Sequence, residues 1–218
     1  MFGKLYEWWA RFEYRFIAKR PLSWVVLNGR LRKLTFRRSE EEDIPRCIEL
    51  YQLNEPGRFP PNGLADFEKA LRGDSYHLVT ELDGKVVAMG GVSYWCRRDI
   101  AVFSYGLVDP AYHGQGIGTT LFLARLGMIE PQYWYTRVVI FAVDDSITYY
   151  QRFGFKRGDP WEHEGEPYPT GHLIMSKPEI RKCRRRLKRE GIVIPDDRDR
   201  VPLDEFKELP APPEPNES

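Results

Sequence analysis

Three glycines in five residues, Gly114, Gly116 and Gly118, stand between an apolar, β-branched run, Ile100 to Val108 (IAVFSYGLV), and a run with helical spacing through Leu121, Phe122, Ala124, Arg125 and Met128. The first run has the length and composition of one buried strand. A helix that opens near Gly118 leaves its first N–H groups without internal acceptors and turns the positive end of its dipole on the same spot. Gly114, Gln115, Gly116, Ile117, Gly118 and Thr119 can therefore line a cradle for an anion such as a phosphate, with glycine where the backbone must come close. A P-loop is excluded because no lysine follows these glycines, and the GxGxG spacing does not meet the dinucleotide fingerprint GxGxxG.

His113-Gly114-Gln115-Gly116-Ile117-Gly118, with the lead-in Val108-Asp109-Pro110, resembles motif A of the GCN5-related N-acetyltransferases (GNAT), R/Q-x-x-G-x-G/A. Tyr150-Gln151-Arg152-Phe153-Gly154-Phe155 is similar to the Y-x-x-x-G-F end of their motif B. Two positions depart from the pattern: His113 replaces Arg or Gln, and Val143 stands where many relatives carry a cofactor-contacting Asn. The resemblance spans about Leu34 to Lys177 and implies an α+β fold in α/β/α layers, with the mixed, mostly antiparallel central sheet of the acyl-CoA N-acyltransferases. It also implies acetyl-coenzyme A as acyl donor, lying between strands Ile100 to Val108 and Thr136 to Val143. Its pantetheine would pair with the main chain of Gly106, Leu107 and Val108, and its pyrophosphate would sit on Gly114 to Thr119, with His113 at the entrance. An amine would attack the thioester directly while Tyr150 protonates the departing thiolate.

The residues do not name a general base. In some relatives a Glu on the central strand serves, but here that stretch offers Ser104 and Tyr105. Glu55, in the loop from Gln52 to Asn62, and Glu162, His163 and Glu164, read as a loop before a last strand His172 to Ser176, are the candidates on the substrate side. His163 has an imidazole that titrates near neutrality. The WEHEGEPYPTGH stretch has no metal-ligand spacing, and no metal is expected. The carboxylates suit a cationic amine, either a small molecule or a peptide. The other reading is an acyl-CoA-binding regulatory or interaction module with little catalysis, tethered by its terminal helices.

These residues need a scaffold, and 218 residues with 42% hydrophobic content can supply one core with appendages. The net charge of +1 hides a segregation: residues 1–38 hold ten basic and two acidic side chains, 39–177 thirteen and twenty, 178–190 seven and two, and 191–218 three and eight. Three scattered cysteines without CxxC spacing fit a reducing, cytoplasmic setting, and no run reaches the length of a membrane span.

The spacing predicts an amphipathic helix over residues 2–17, followed by strands on either side of Asn28-Gly29, helices over 39–51 and 63–71, and a hairpin 76–82/85–95 about Asp83-Gly84. The expected division is 1–32 as an N-terminal helix and hairpin appendage, 33–177 as the acetyltransferase domain, 178–193 as a basic helix and 194–218 as a Pro- and acid-rich disordered tail. The aromatic face of residues 2–17 suits a homodimer contact or a peripheral anionic membrane contact. In the basic helix no aromatic is interleaved, which disfavours nucleic acid as a partner.

Overall fold

In the computed structural model, residues 22–55, 59, 63–73, 76–95, 100–130, 134–141, 144–163 and 166–193 are described. The segment 2–17, with the dimer and membrane contacts expected of it, Val143, Glu164 and the tail 194–218 lie outside the described residues.

Eight strands form one sheet in the order β1-β2-β3-β4-β5-β6-β8-β7. They are β1 (Trp24–Leu27), β2 (Arg30–Arg38), β3 (Tyr76–Leu82), β4 (Lys85–Trp95), β5 (Ile100–Val108), β6 (Tyr135–Phe141), β7 (Lys156–His163) and β8 (Glu166–Ser176). Only β5 and β6 run parallel. The helices are α1 (Ile44–Asn54), α2 (Gly63–Arg72), α3 (Ile117–Met128), α4 (Asp144–Gln151) and α5 (Lys177–Arg189). One face of the sheet carries α1 and α2, whose Cys47, Leu50, Tyr51 and Phe67 pack on Val79, Val86, Met89 and Leu107. The other carries α3 sandwiched under α5, in a core that includes Phe103, Phe122, Leu126, Ile180, Cys183 and Leu187. This is the expected layered α+β fold with a mixed, mostly antiparallel sheet. The expected boundary at 32/33 falls inside the single strand β2, which pairs with β1 at one end and β3 at the other.

Local chemistry explains the helix ends. Glu40 and Asp43 form a capping box ahead of α1, with Pro45 in the first turn, and the helix continues to Asn54, so the following loop begins at Glu55 rather than Gln52. Ser176 and Glu179 form a second box that starts α5. Its buried stripe Ile180, Cys183 and Leu187 leaves most of the arginines and lysines outward, apart from Arg184 and from Arg186, which pairs with Glu190 at 2.9 Å. Arg184 donates to the carbonyls of Gly127, Met128 and Ile129 and pairs with Glu130 at 2.7 Å, which satisfies acceptors that the end of α3 leaves open.

The last quarter of the domain corrects the sequence reading. The loop expected before His172 is absent; Lys156–His163 and Glu166–Ser176 form an antiparallel hairpin that closes the sheet. The prolines hid it. Pro160 lies where the β7 register shifts between Gly158 and Trp161, on an edge strand, and Pro167 and Pro169 lie beyond Thr170, the last residue of β8 that faces β6. Bulges and edges are where a strand tolerates proline. Glu162 and His163 are thus strand residues at the tip of this hairpin.

Because Arg184 is the tie between α5 and α3, Arg184→Met is expected to lower stability by about 1–3 kcal/mol, read as a lower urea midpoint at unchanged m-value. An unchanged midpoint would show that the apolar stripe alone docks α5.

Candidate functional site

β5 pairs with β6 only from Ile100 to Phe103, against Arg137 to Ile140. Past Phe103 the two parallel strands part, and among the described residues Ser104 to Val108 have no strand partner on that side. Backbone groups along such an edge are available to an extended ligand. On the opposite edge the register with β4 slips: Gly91 faces Ser104 and Met89 faces Leu107, so Tyr105 and Gly106 together oppose Gly90. This is a β-bulge, and it puts Tyr105 at φ +47°. The unfavourable conformation is held by packing, since Tyr105 lies 4.7 Å from the Phe67 ring, which stacks on Tyr51 at 4.9 Å. Burial, then the charge of Asp66, raise the Tyr105 phenol above its usual range.

The glycine stretch follows the end of β5 directly. Asp109 accepts from Ala111 N–H at 3.0 Å and opens a 3-10 turn, Pro110–Tyr112, and α3 then begins after Gly116 at φ +84°. No side chain caps α3, and its first intrahelical bond is Thr120 N–H to Gly116 O, so the N–H groups of Ile117, Gly118 and Thr119 have no helical acceptor. Gly116 takes a left-handed turn there, and three such N–H groups at a helix start suit a phosphate-bearing ligand. His113 is exposed, and its Nε2 lies 2.9 Å from the carbonyl of Val108, which fixes the proton on Nε2. Asn54 Nδ2 donates to the same carbonyl at 3.0 Å. The Val108 oxygen is therefore met from within the chain, which the sequence reading did not foresee.

Asp109 also joins the cradle to α1 through Arg46 at 2.5 Å. Burial raises the Asp109 carboxyl, but the Ala111 N–H and the Arg46 guanidinium outweigh it and hold it below the ordinary carboxylate range.

Tyr149 and Tyr150 both point inward from α4. The Tyr149 hydroxyl lies 3.4 Å from Thr119 Oγ1 at the start of α3, and burial pushes its phenol well above the usual range. Tyr150 stands over the parted strand: a methyl at Gly106 would come within 3.0 Å of its hydroxyl. The turn after α4 sets this position, because Gly154 at φ +93° lets its own N–H reach Gln151 O and that of Phe155 reach Tyr150 O.

Two residues at this site went unnoticed in the sequence. Arg125, counted there as a member of the apolar stripe of α3, is 1% exposed, and its guanidinium crosses the bulge to donate to Gly91 O at 2.6 Å and Ser104 O at 2.8 Å. The signal was an arginine on an otherwise apolar helix face. His77 on β3 sits in the cross-strand row with Gly91 and Ser104, 1% exposed and with no hydrogen-bond partner at Nε2. Burial, and behind it the charge of Arg125, push its imidazole down to about 4.

The remaining candidates are not brought into contact with Tyr150 or Gly106 by any observed interaction, apart from Ser104 and Tyr105 on β5 itself. Glu55 caps the end of α1, next to the residue that holds Val108. Glu162 and His163 lie on β7, three strands from β5, at the hairpin tip that projects past the end of β6. Ser104 and Tyr105 are half-buried on the bulge itself. A cavity of about 580 Å³ between the β1–β2 and β3–β4 turns reaches this region only through Tyr112. No described helix is long and apolar enough to cross a membrane.

Comparison with known proteins fits this geometry. Residues 73–157, from the turn before β3 into β7, match the family model for the acetyltransferase (GNAT) domain. The match covers well under half of the chain, and the fold is the one seen in solved acetyltransferases of the GNAT type. Similar folds include the ribosomal-protein-S18-alanine N-acetyltransferase of Escherichia coli (18% identity, TM-score 0.50, 66% of this chain and 93% of that one). Ard1 of Thermoplasma volcanium is another (20%, 0.51, 66% and 99%). A third is N-acetylglutamate synthase of Neisseria gonorrhoeae, solved with coenzyme A and N-acetyl-glutamate (15%, 0.51, 66% but only 35% of that chain). The search of curated proteins returns no match.

Two expectations follow. As pH falls through 6.5 the unfolded chain protonates His77, whereas the folded chain does so only near 4. Stability should fall over that interval, by up to about 3 kcal/mol, and His77→Phe should remove that part of the loss. Urea midpoints at about pH 7 and about pH 5 test this, and an equal drop in both proteins would refute it. His113→Ala breaks one loop tie and should raise KM for acetyl-coenzyme A roughly fivefold with kcat retained. A large loss of kcat at saturating donor would mean that His113 acts in the chemistry.

Proposed function

We propose that this protein transfers the acetyl group of acetyl-coenzyme A to a primary amine by direct attack, with Tyr150 as general acid. The observation that carries the reading is the Tyr150 hydroxyl over Gly106, on the stretch of β5 that among the described residues has no partner on its β6 side. In this reading the pantetheine runs along Gly106, Leu107 and Val108, and the pyrophosphate takes the N–H groups from Gly114 to Thr119. The carbonyl of Val108 is already engaged, so the pantetheine pairing relies on the other groups of this edge.

The amine nitrogen attacks the thioester carbonyl carbon, the C–S bond breaks, and the Tyr150 proton passes to sulfur. Most of the acceleration comes from holding the two reactants together and from donors aimed at developing charge. Glu55 at the end of α1, and Glu162 and His163 at the end of β7, are proposed to receive the cationic amine and pass on its surplus proton. Ser104 and Tyr105 form the floor against which it packs.

Thiol release from acetyl-coenzyme A across a panel of small and peptide amines tests the activity. Silence across the panel with tight donor binding retained would favour a binding module over an enzyme. Once an acceptor is found, Tyr150→Phe is expected to lower kcat about 100-fold while leaving donor affinity unchanged. An unchanged kcat would remove Tyr150 from the role of acid.

A further inference from the structure

Arg125 carries a full charge into the interior, yet no carboxylate pairs with it among the described residues. Burying a cation in that way costs several kcal/mol unless its surroundings replace water. Here the surroundings are two carbonyls, one ring and a hydroxyl. Nε and Nη2 donate to Gly91 O, Nη2 donates to Ser104 O, and the guanidinium lies 4.3 Å from the Phe103 ring centroid. Nη1 is aimed elsewhere. A methyl at Gly106 would meet Nη1 and the Tyr150 hydroxyl, each at 3.0 Å, so both groups converge on the same patch of β5. Tyr150 raises the affinity of Arg125 for its proton, by charge and by hydrogen bonding, against the desolvation that lowers it. Gly90 is shaped to the same end, since a methyl there would lie 2.9 Å from Arg125 Cδ and Nε.

We infer that Arg125 is the counter-charge of the acyl-transfer step, a positioning residue that holds the negative charge delivered to the Tyr150 oxygen and the departing sulfur. The inference rests on the proposed acid role of Tyr150. As the amine nitrogen bonds to the acyl carbon, the C–S electron pair leaves with sulfur. The Tyr150 O–H proton moves to sulfur, the phenol oxygen keeps that bond's electron pair, and Arg125 faces the resulting phenolate. The proton lost by the amine returns to Tyr150 through solvent, so the products are the amide and a neutral thiol. A permanent cation beside this pair stabilises charge that exists only during the transfer, which is the kind of interaction that raises kcat.

The test reads the thiol of bound coenzyme A through the ultraviolet absorbance of its thiolate, in wild type, Arg125→Met, Arg125→Gln and Arg125→Lys. Gln keeps donors for the two carbonyls and removes the charge, so it serves if Met does not fold. At a given pH the ionised fraction is expected to be about tenfold larger on wild type than on the neutral variants, with Lys restoring part of it. In turnover, the penalty of Tyr150→Phe should shrink at least tenfold in the Gln background. Equal thiol titrations in wild type and the neutral variants would overturn the inference even if Tyr150→Phe is slow. A shifted titration with a fast Tyr150→Phe would instead overturn the acid assignment and leave Arg125 as counter-charge to sulfur.

Discussion

A guanidinium locked across a break in a β-sheet is the constraint on which this site turns. The bulge between β4 and β5 withdraws carbonyls from the ladder, and a buried carbonyl without a donor is costly. Arg125 supplies donors to Gly91 and Ser104 from the helix behind the sheet. In return the carbonyls do the work of water around a charge that has no anion beside it among the described residues. The bulge turns Gly106 toward Tyr150, and the parting of β5 from β6 begins one residue beyond Phe103, the ring on which the guanidinium rests. The opening in the sheet and the cation within it therefore belong to one arrangement.

The opposite face keeps that arrangement in place. Tyr51, Phe59, Phe67 and Tyr105 pack ring against ring and pin the left-handed residue of the bulge. Asn54 holds Val108, and Arg46 holds Asp109. Through these two contacts α1 is attached to both the end of β5 and the start of the glycine turn. A donor bound at the turn thus works on a loop that is anchored to the helix leading to Glu55.

Much of this was legible in the sequence because it is local. An apolar run, spaced glycines and a helical pattern fall within one stretch of chain, and Asn28-Gly29 and Asp83-Gly84 mark hairpin turns by their own chemistry. The same holds for Tyr150 with Gly154, whose spacing is that of a helix end. What escaped is non-local. Pro160 argues against a strand until its edge position is known. Arg125 satisfies helical periodicity while its charge contradicts it, and nothing near it in the chain announces the carbonyls of residues 91 and 104. His77, Gly91 and Ser104 form a row only once three strands are in register.

The glycines around Arg125 have a bearing on how this site can change by descent. A side chain at 90 or 106 collides with the arginine, while a small apolar residue at 125 leaves two carbonyls bare and a void under the sheet. Each single step away from the present combination is unfavourable, although a chain with an apolar residue at 125 and side chains at 90 and 106 is sterically consistent. The three positions are therefore coupled through one volume, and a replacement at 125 has also to bring a donor for the carbonyls of residues 91 and 104.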